Sequence, residues 1–350
     1  MIRSFIKNIL KRWGLARAAR FLRAFVFGLL DSSAGAIKSC ARMSSVFDRT
    51  RVKRILAIRL DRIGDVVLTT PALRAIKETY PACRLTVLVR RSTRDLLLGL
   101  PYIDELLCID DFSRAYLIAY LRDQHFDVSL AFHPDILTNF IAWQARAAYR
   151  VGYAYSGTGL FLTREIIDDR VQRERHEVLS ALEVAAAIGV RTTDMSLGIS
   201  VLPESEAFAA SFFQKNGLSV SGVVAIHPGS RQPYIRCQKE KFAQVADRLF
   251  DERKLKSLII AGPKEEGLAQ DVIRLMKTPA VIASGLPLGH LAALMKGCAL
   301  FVGNSTGPMH MAAALKVPVV AVFGSSHPLD SSVAWGPWGQ GHAVVARDAG

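Results

Sequence analysis

Apolar side chains recur at helical spacing at the start of the chain: Ile2, Phe5, Ile6, Ile9, Leu10 and Trp13, with Arg3, Lys7, Lys11 and Arg12 between them. That pattern predicts a basic amphipathic helix. A second segment follows Gly14, where Arg17, Arg20 and Arg23 flank and precede the apolar run from Ala24 to Leu30. The run is far shorter than the roughly 20 apolar residues that span a bilayer. From Lys53 the period changes. Short, unbroken apolar runs predict buried strands at 54–60, 85–89, 104–109 and 127–132, with helical stretches near 71–77 and at 115–124. After Pro203 the alternation restarts. Strands are predicted at 222–226, 257–261, 280–283, 299–302 and 317–323, and helices at 241–251, 288–296 and 308–316. Strands alternating with helices build parallel βαβ units, so the expected class is α/β. Three parts follow: a basic helical arm at 1–52, a first domain at 53–205 and a second at 206–350.

Composition agrees with a folded chain. Of 350 residues, 50% are hydrophobic and 22% charged, which is globular rather than disordered and long enough for two domains. The formal net charge of +14 is unevenly placed: residues 1–54 hold 13 Lys and Arg against only Asp31 and Asp48. Beyond the arm there is no basic stripe interleaved with aromatics, which excludes nucleic acid as the expected partner. The arm suits an anionic membrane surface contacted through residues 1–30, each basic residue contributing about 1 kcal/mol. Two other readings of it stand: packing on the folded body, or a signal peptide with Ala34-Gly35-Ala36 as cleavage site, which the length of the basic region and Arg23 oppose. Cys40, Cys83, Cys108, Cys237 and Cys298 are scattered and odd in number, so neither a disulfide framework nor a zinc site is expected, and a reducing compartment is. No metal-ligand spacing such as HExxH occurs, and no metal is predicted. GxGxxG after the first strand and GxxxxGK[ST] anywhere are both absent, so hydride-transfer and P-loop chemistry lack their fingerprints.

Ligands of open parallel sheets bind beyond the carboxyl ends of the strands. In the second half three loops fall there: 227–236, 262–266 and 303–307. Gly303, Ser305, Thr306 and Gly307 let a ligand approach the backbone, and Pro308 suits the first helical turn. A helix N-terminus at that point suits a phosphate. An ordinary Ser or Thr N-cap fits the same residues. In the first half Arg59, Asp61, Arg62 and Asp65 crowd one loop. Asp65 is placed either to take a proton from a hydroxyl or simply to cap the following helix, and the arginines suit acidic acceptor groups.

Taken together, these segments resemble glycosyltransferase family 9, the ADP-heptose:lipopolysaccharide heptosyltransferase family. The resemblance runs from Arg54 to about Gly339. It is carried by Ile55-Leu-Ala-Ile-Arg-Leu-Asp-Arg-Ile-Gly-Asp-Val-Val-Leu-Thr-Thr-Pro-Ala-Leu-Arg74, Arg150-Val-Gly-Tyr153, His176-Glu-Val178, Gly303-Asn-Ser-Thr-Gly-Pro-Met-His-Met-Ala312 and Trp335-Gly-Pro-Trp-Gly339. It implies a GT-B fold, two Rossmann-like domains facing a cleft, with metal-independent, inverting transfer. Asp65 takes the catalytic position. Ser305, Thr306, Gly307 and His310 fall at the donor phosphates with Ser230, Arg231 and Arg236, and Glu265 or Glu266 meets the donor ribose. Arg59, Arg62 and Gly64 fall on the acceptor side. The implied co-substrate is a nucleotide-sugar, ADP-linked, and the acceptor is an anionic glycolipid such as the lipopolysaccharide core. The implied place is the cytoplasmic face of the inner membrane.

The sequence departs from the family pattern in the donor site. Ile235-Arg236-Cys237 stands where many members have Lys-Arg-Trp, so Arg231 or Arg236 must replace the charge of the lysine. Asn304-Ser305-Thr306-Gly307 lacks the acid of the commoner Asn-Asp-Ser/Thr-Gly. Members usually continue into a C-terminal helical segment; beside them this chain is expected either to be shortened or to fill that space with its arm. These departures leave open a different nucleotide-sugar donor, or a catalytically weak, membrane-associated binding or scaffold homologue.

Overall fold

The computed structural model describes residues 47–154, 158–169, 175–230, 232–325, 327 and 330–346. The arm therefore lies outside the described residues up to Val46. Two six-stranded sheets, all parallel, carry the fold. The first holds β1 (Arg54–Ile58), β2 (Arg84–Val89), β3 (Glu105–Cys108), β4 (Val128–Ala131), β5 (Tyr149–Ala154) and β6 (Arg164–Ile167) in the order β3-β2-β1-β4-β5-β6. The second holds β7 (Val223–His227), β8 (Lys256–Ala261), β9 (Ala280–Ser284), β10 (Leu300–Asn304), β11 (Val319–Phe323) and β12 (Ala343–Ala346) in the order β12-β11-β10-β7-β8-β9. Each sheet reverses its strand order once, between β1 and β4 and between β7 and β10. Ligands of such sheets bind in the crevice that the reversal opens.

The central strands are apolar because both of their faces are covered. Ile55 and Ala57 of β1 pack with Val66, Leu73 and Ile76 on one face of the sheet, and Leu56 and Ile58 with Leu117, Leu121 and Ile141 on the other. A third cluster joins the halves: Val67 and Leu68 of the first pack with Met309, Met311 and Ala312 of the second. The division expected at residue 205 falls inside the helix Pro203–Lys215, which packs on the helix Leu288–Lys296 of the second half.

The helix after β1 begins at Ile63, well before the stretch near Pro71 where the pattern predicts it, and Pro71 lies inside it. Proline donates no hydrogen bond to the carbonyl four residues back. That carbonyl, on Val67, instead accepts the Thr70 hydroxyl at 2.7 Å. The helix survives, and its N-terminus moves to the cleft. Strand β5, the edge strands β6 and β12, and the helices Ile136–Gln144, Glu177–Ala186, Pro203–Lys215 and Glu266–Leu275 are additional to the predicted elements.

Candidate active site

Beyond the carboxyl end of β1, Arg59 turns inward and is only 2% exposed. Its Nη1 donates to the Phe132 carbonyl at 2.6 Å, and its Nη2 donates to Glu177 Oε1 at 2.8 Å and to Asp65 Oδ1 at 3.1 Å. Its Nε stands 2.9 Å from Asp61 Oδ1, and Asp61 Oδ2 stands 2.9 Å from Nδ1 of the half-buried His133. One guanidinium thus holds three carboxylates away from bulk water. A buried charge is tolerable only when paired, and here the anions outnumber their arginine. Asp65 bears the imbalance. Burial first, and then the charge on Asp61, push its pKa up to about 7, against the pull of Arg59. Burial also pushes Asp61 upward, but Arg59 and His133 outweigh it and hold that carboxyl below its usual range. Burial works to lower His133, and its bond to Asp61 overrides that and raises it. Asp65 Oδ2 also accepts the Arg62 backbone N–H at 3.3 Å, so helix capping and a raised pKa coexist on one side chain.

In the second half, β7 ends at His227. Its Nδ1 lies 3.1 Å from Thr306 Oγ1 and its Nε2 lies 3.1 Å from Glu265 Oε2. The bond from His227 is the leading cause that holds Glu265 below its usual pKa, and the Gly262 N–H donates to the same carboxylate at 2.9 Å. Asn304, at the end of β10, ties the loops together. Its Nδ2 donates to the carbonyls of Pro228 and Gly229 at 2.9 and 3.0 Å, and its Oδ1 accepts from Cys237 N at 2.9 Å. Thr306 precedes the helix Gly307–Ala314 with extended backbone, yet its side chain makes no cap bond and donates instead to the Asn304 carbonyl at 3.1 Å. The simple capping role is therefore not the one taken, and the N-terminus of that helix is left without a side-chain cap beside the cleft.

The tips of two helices, one from each half, meet here through glycines. A Cβ on Gly64 would stand 2.6 Å from His310 Cδ2, and one on Gly307 would stand 2.7 Å from Ile63 Cβ. His310 is 3% exposed, and burial, then the charge of His176, lower its pKa to about 3. It is a neutral ring in the operating range, able to hydrogen-bond a phosphate but not to neutralise one. Between the halves lies a cleft of about 790 Å³ with Arg62, Gly64 and Asp65 on one wall and Ser230, Glu265, Ser305, Thr306, Gly307 and His310 on the other. That volume lies within the range of small-molecule sites. Among the described residues no group of three or more His, Cys, Asp and Glu side chains is placed to hold a metal ion.

Residues 114–349 match glycosyltransferase family 9 (heptosyltransferase). The chain belongs to that family. Lipopolysaccharide heptosyltransferase 3 of Escherichia coli is 25% identical over 289 residues, 79% of this chain and 83% of its own length. A solved glycosyl transferase family 9 structure from Veillonella parvula superposes with a TM-score of 0.76 at 29% identity, over 84% of this chain and 86% of that one. The structure of E. coli ADP-heptose lipopolysaccharide heptosyltransferase II gives a TM-score of 0.73 at 20% identity, over 85% and 91%, and shares the fold. The two facing sheets are thus the GT-B arrangement, and the protein is a glycosyltransferase.

In this family 9 glycosyltransferase the cleft gathers most of the residues singled out from the sequence, with four exceptions. Arg59 is sealed beneath the first wall and holds carboxylates rather than facing an acceptor. Arg236 does not line the cleft, and its Nη2 donates to the Ser230 carbonyl at 2.7 Å. Glu266 is exposed at the start of its helix, so of the two candidate acids only Glu265 lines the cleft. Arg231 lies outside the described residues. The site also contains side chains given no individual role from the sequence. Asp61, His227 and Asn304 sit in loops already suspected. Glu177 is legible only within the His176-Glu-Val178 resemblance. His133 follows a predicted strand, and that position is its only sequence signal.

Proposed function

We propose that this glycosyltransferase moves heptose from ADP-heptose onto a hydroxyl of the lipopolysaccharide core, inverting the anomeric centre without a metal ion. One observation carries the reading: the Asp65 carboxyl of the first half and the uncapped helix tip at Thr306-Gly307 of the second line the same cleft. A general base works best with a pKa near the operating pH, and about 7 meets that condition. Asp65 takes the acceptor hydroxyl proton while the oxygen attacks the anomeric carbon from the face opposite the leaving nucleotide, through an oxocarbenium-like state. Negative charge then grows on the departing diphosphate. Backbone N–H groups at the helix tip are fixed where that charge develops and need no reorganisation, and the hydroxyls of Ser305 and Thr306 turn toward it. Glu265 accepts from the ribose hydroxyls, and Arg62 attracts an anionic acceptor.

The names of the E. coli relatives, a lipopolysaccharide heptosyltransferase and an ADP-heptose lipopolysaccharide heptosyltransferase, support this donor and acceptor. No described helix is long and apolar enough to cross a membrane. We place the enzyme on the inner face of the inner membrane, held by the basic arm through residues 1–30. A different nucleotide-sugar donor is the second reading. Ile235 lines the cleft where the family resemblance expects lysine, and Arg62 is the sole lysine or arginine among the described lining residues.

Thermal-shift measurements with ADP, UDP and GDP, followed by a transfer assay with and without EDTA, test both readings. A nucleotide at 100 times its Kd stabilises the folded state by about 2.7 kcal/mol. Stabilisation by ADP and EDTA-resistant transfer from ADP-heptose are expected. Stabilisation by UDP or GDP alone moves the donor to the second reading, and silence from all three refutes both.

A further inference from the structure

Three polar side chains in the second half form a bridge, and the transfer chemistry gives roles to Glu265 and Thr306 but none to His227, which joins them. His227 ends β7, Glu265 lies after β8 and Thr306 after β10, so one imidazole joins three loops of the sheet. Its side chain is 5% exposed. A histidine retained for packing has no need of two polar partners that both line the cleft. Glu265 is ionised, held below its usual range first of all by this bond. An ionised acceptor requires a hydrogen on Nε2. In the neutral ring Nδ1 then faces a hydroxyl with a single proton, for which the Asn304 carbonyl, 3.1 Å from the same oxygen, competes. How Thr306 presents its hydroxyl to the cleft depends on the ring, and the ring depends on Glu265.

We infer that His227 is a positioning residue that couples recognition of the ribose and of the diphosphate in a nucleoside diphosphate-sugar, an inference that rests on the donor-site reading above. A ribose diol on Glu265 competes with Nε2–H for the carboxylate and changes the hold of the ring on Thr306. A phosphate on Thr306 acts back along the same path. The coupling is reciprocal because both ligand groups bias one shared element. Glu265 also accepts the Gly262 N–H at 2.9 Å, a second tie that holds the carboxylate while its bond to the histidine varies.

Calorimetric titration of the full chain tests the coupling. The probes are whichever of ADP, UDP and GDP stabilises the protein, and its 2′,3′-dideoxy counterpart. The ratio of their two Kd values is the ribose discrimination. Thr306→Val removes a hydroxyl from the phosphate side and leaves Glu265 untouched. It is expected to cut ribose discrimination by about five-fold or more, the size of an ordinary coupling between linked residues. In a His227→Gln background discrimination is already low, and Thr306→Val changes it no further. Equal weakening of both probes by Thr306→Val in the otherwise unaltered chain overturns the inference, and that comparison decides the matter even where His227→Gln does not fold. A chain that binds none of the three diphosphates overturns the donor-site reading along with it, a result distinct from nucleotides that bind with equal losses.

Discussion

Glu177 does not line the cleft, yet its charge is predicted to shift the pH dependence of transfer, adding to what burial and Asp61 do to Asp65. Its Oε1 and Asp65 Oδ1 share Arg59 Nη2 at 2.8 and 3.1 Å. The two oxygens therefore lie within about 6 Å of each other, where unit charges at an effective dielectric of about 20 repel by roughly 3 kcal/mol, on the order of two pKa units. The arginine between them takes up part of that field, so about one unit is the expected effect of neutralising Glu177. Glu177→Gln keeps the shape and the oxygen that accepts from Arg59, and removes only the charge. Asp65 acts when ionised, so the acid limb of kcat/KM rises through its pKa, about 7 in the parent. Removing a neighbouring anion lowers that value, and the limb moves to about pH 6. At that pH roughly half of the variant sites are ionised against about a tenth in the parent, so the ratio of variant to parent kcat/KM rises about five-fold from pH 8 to pH 6. The plateau itself falls modestly, because a weaker base is a poorer catalyst. Steady-state rates from pH 5.5 to 8.5 at fixed ionic strength measure this. A limb that stays in place, or moves to higher pH, refutes the placement of Glu177 in the electrostatics of Asp65.

The remaining predictions concern the base, the contact between the halves and one helix. Asp65→Asn lowers kcat by about 10²- to 10⁴-fold, the usual worth of a general base, with the fold retained by circular dichroism. Stability contributed by a carboxyl whose pKa is raised to about 7 is complete below the ordinary value of 3.8 and is lost as pH rises through 7. The Tm of Asp65→Asn relative to the parent should therefore be more favourable at pH 8 than at pH 5, and an opposite trend refutes the raised pKa. Gly64→Ala sets a methyl 2.6 Å from Cδ2 of the buried His310 ring. It is expected to cost about 1–3 kcal/mol in denaturant unfolding and to weaken nucleotide binding, as an overpacked contact does. Thr70→Val strands the Val67 carbonyl beneath Pro71 and also removes the acceptor of the Gly198 N–H. It is expected to cost about 1–3 kcal/mol of stability, the penalty for buried polar groups left unpaired, with KM unchanged.

Patterning along the chain was enough to determine the α/β class, the restart of alternation after Pro203 and most of the central strands. A buried parallel strand such as Ile55-Leu-Ala-Ile58 is apolar on both faces, and that property is local to its own residues. Edge strands are different: Arg164–Ile167 is largely exposed, so β6 carries no apolar run to read. The early helix start at Ile63 was hidden as well, because a threonine beside Pro71 makes good the missing bond. Within the site, the strand-end loops and the glycine-rich turn before Pro308 were legible because close approach and helix tips demand particular residue types. Which charges face solvent and which are sealed was not. Arg59 and Arg62 stand three residues apart in one charged loop, yet the first is buried under three carboxylates and the second lines the cleft. Glu265 and Glu266 are adjacent, and only one turns inward. The raised pKa of Asp65 comes first from burial and then from Asp61 nearby, and Glu177, more than a hundred residues away along the chain, adds to it. Electrostatic environment is set by burial and by distances through space, and only the packing of one half against the other decides those.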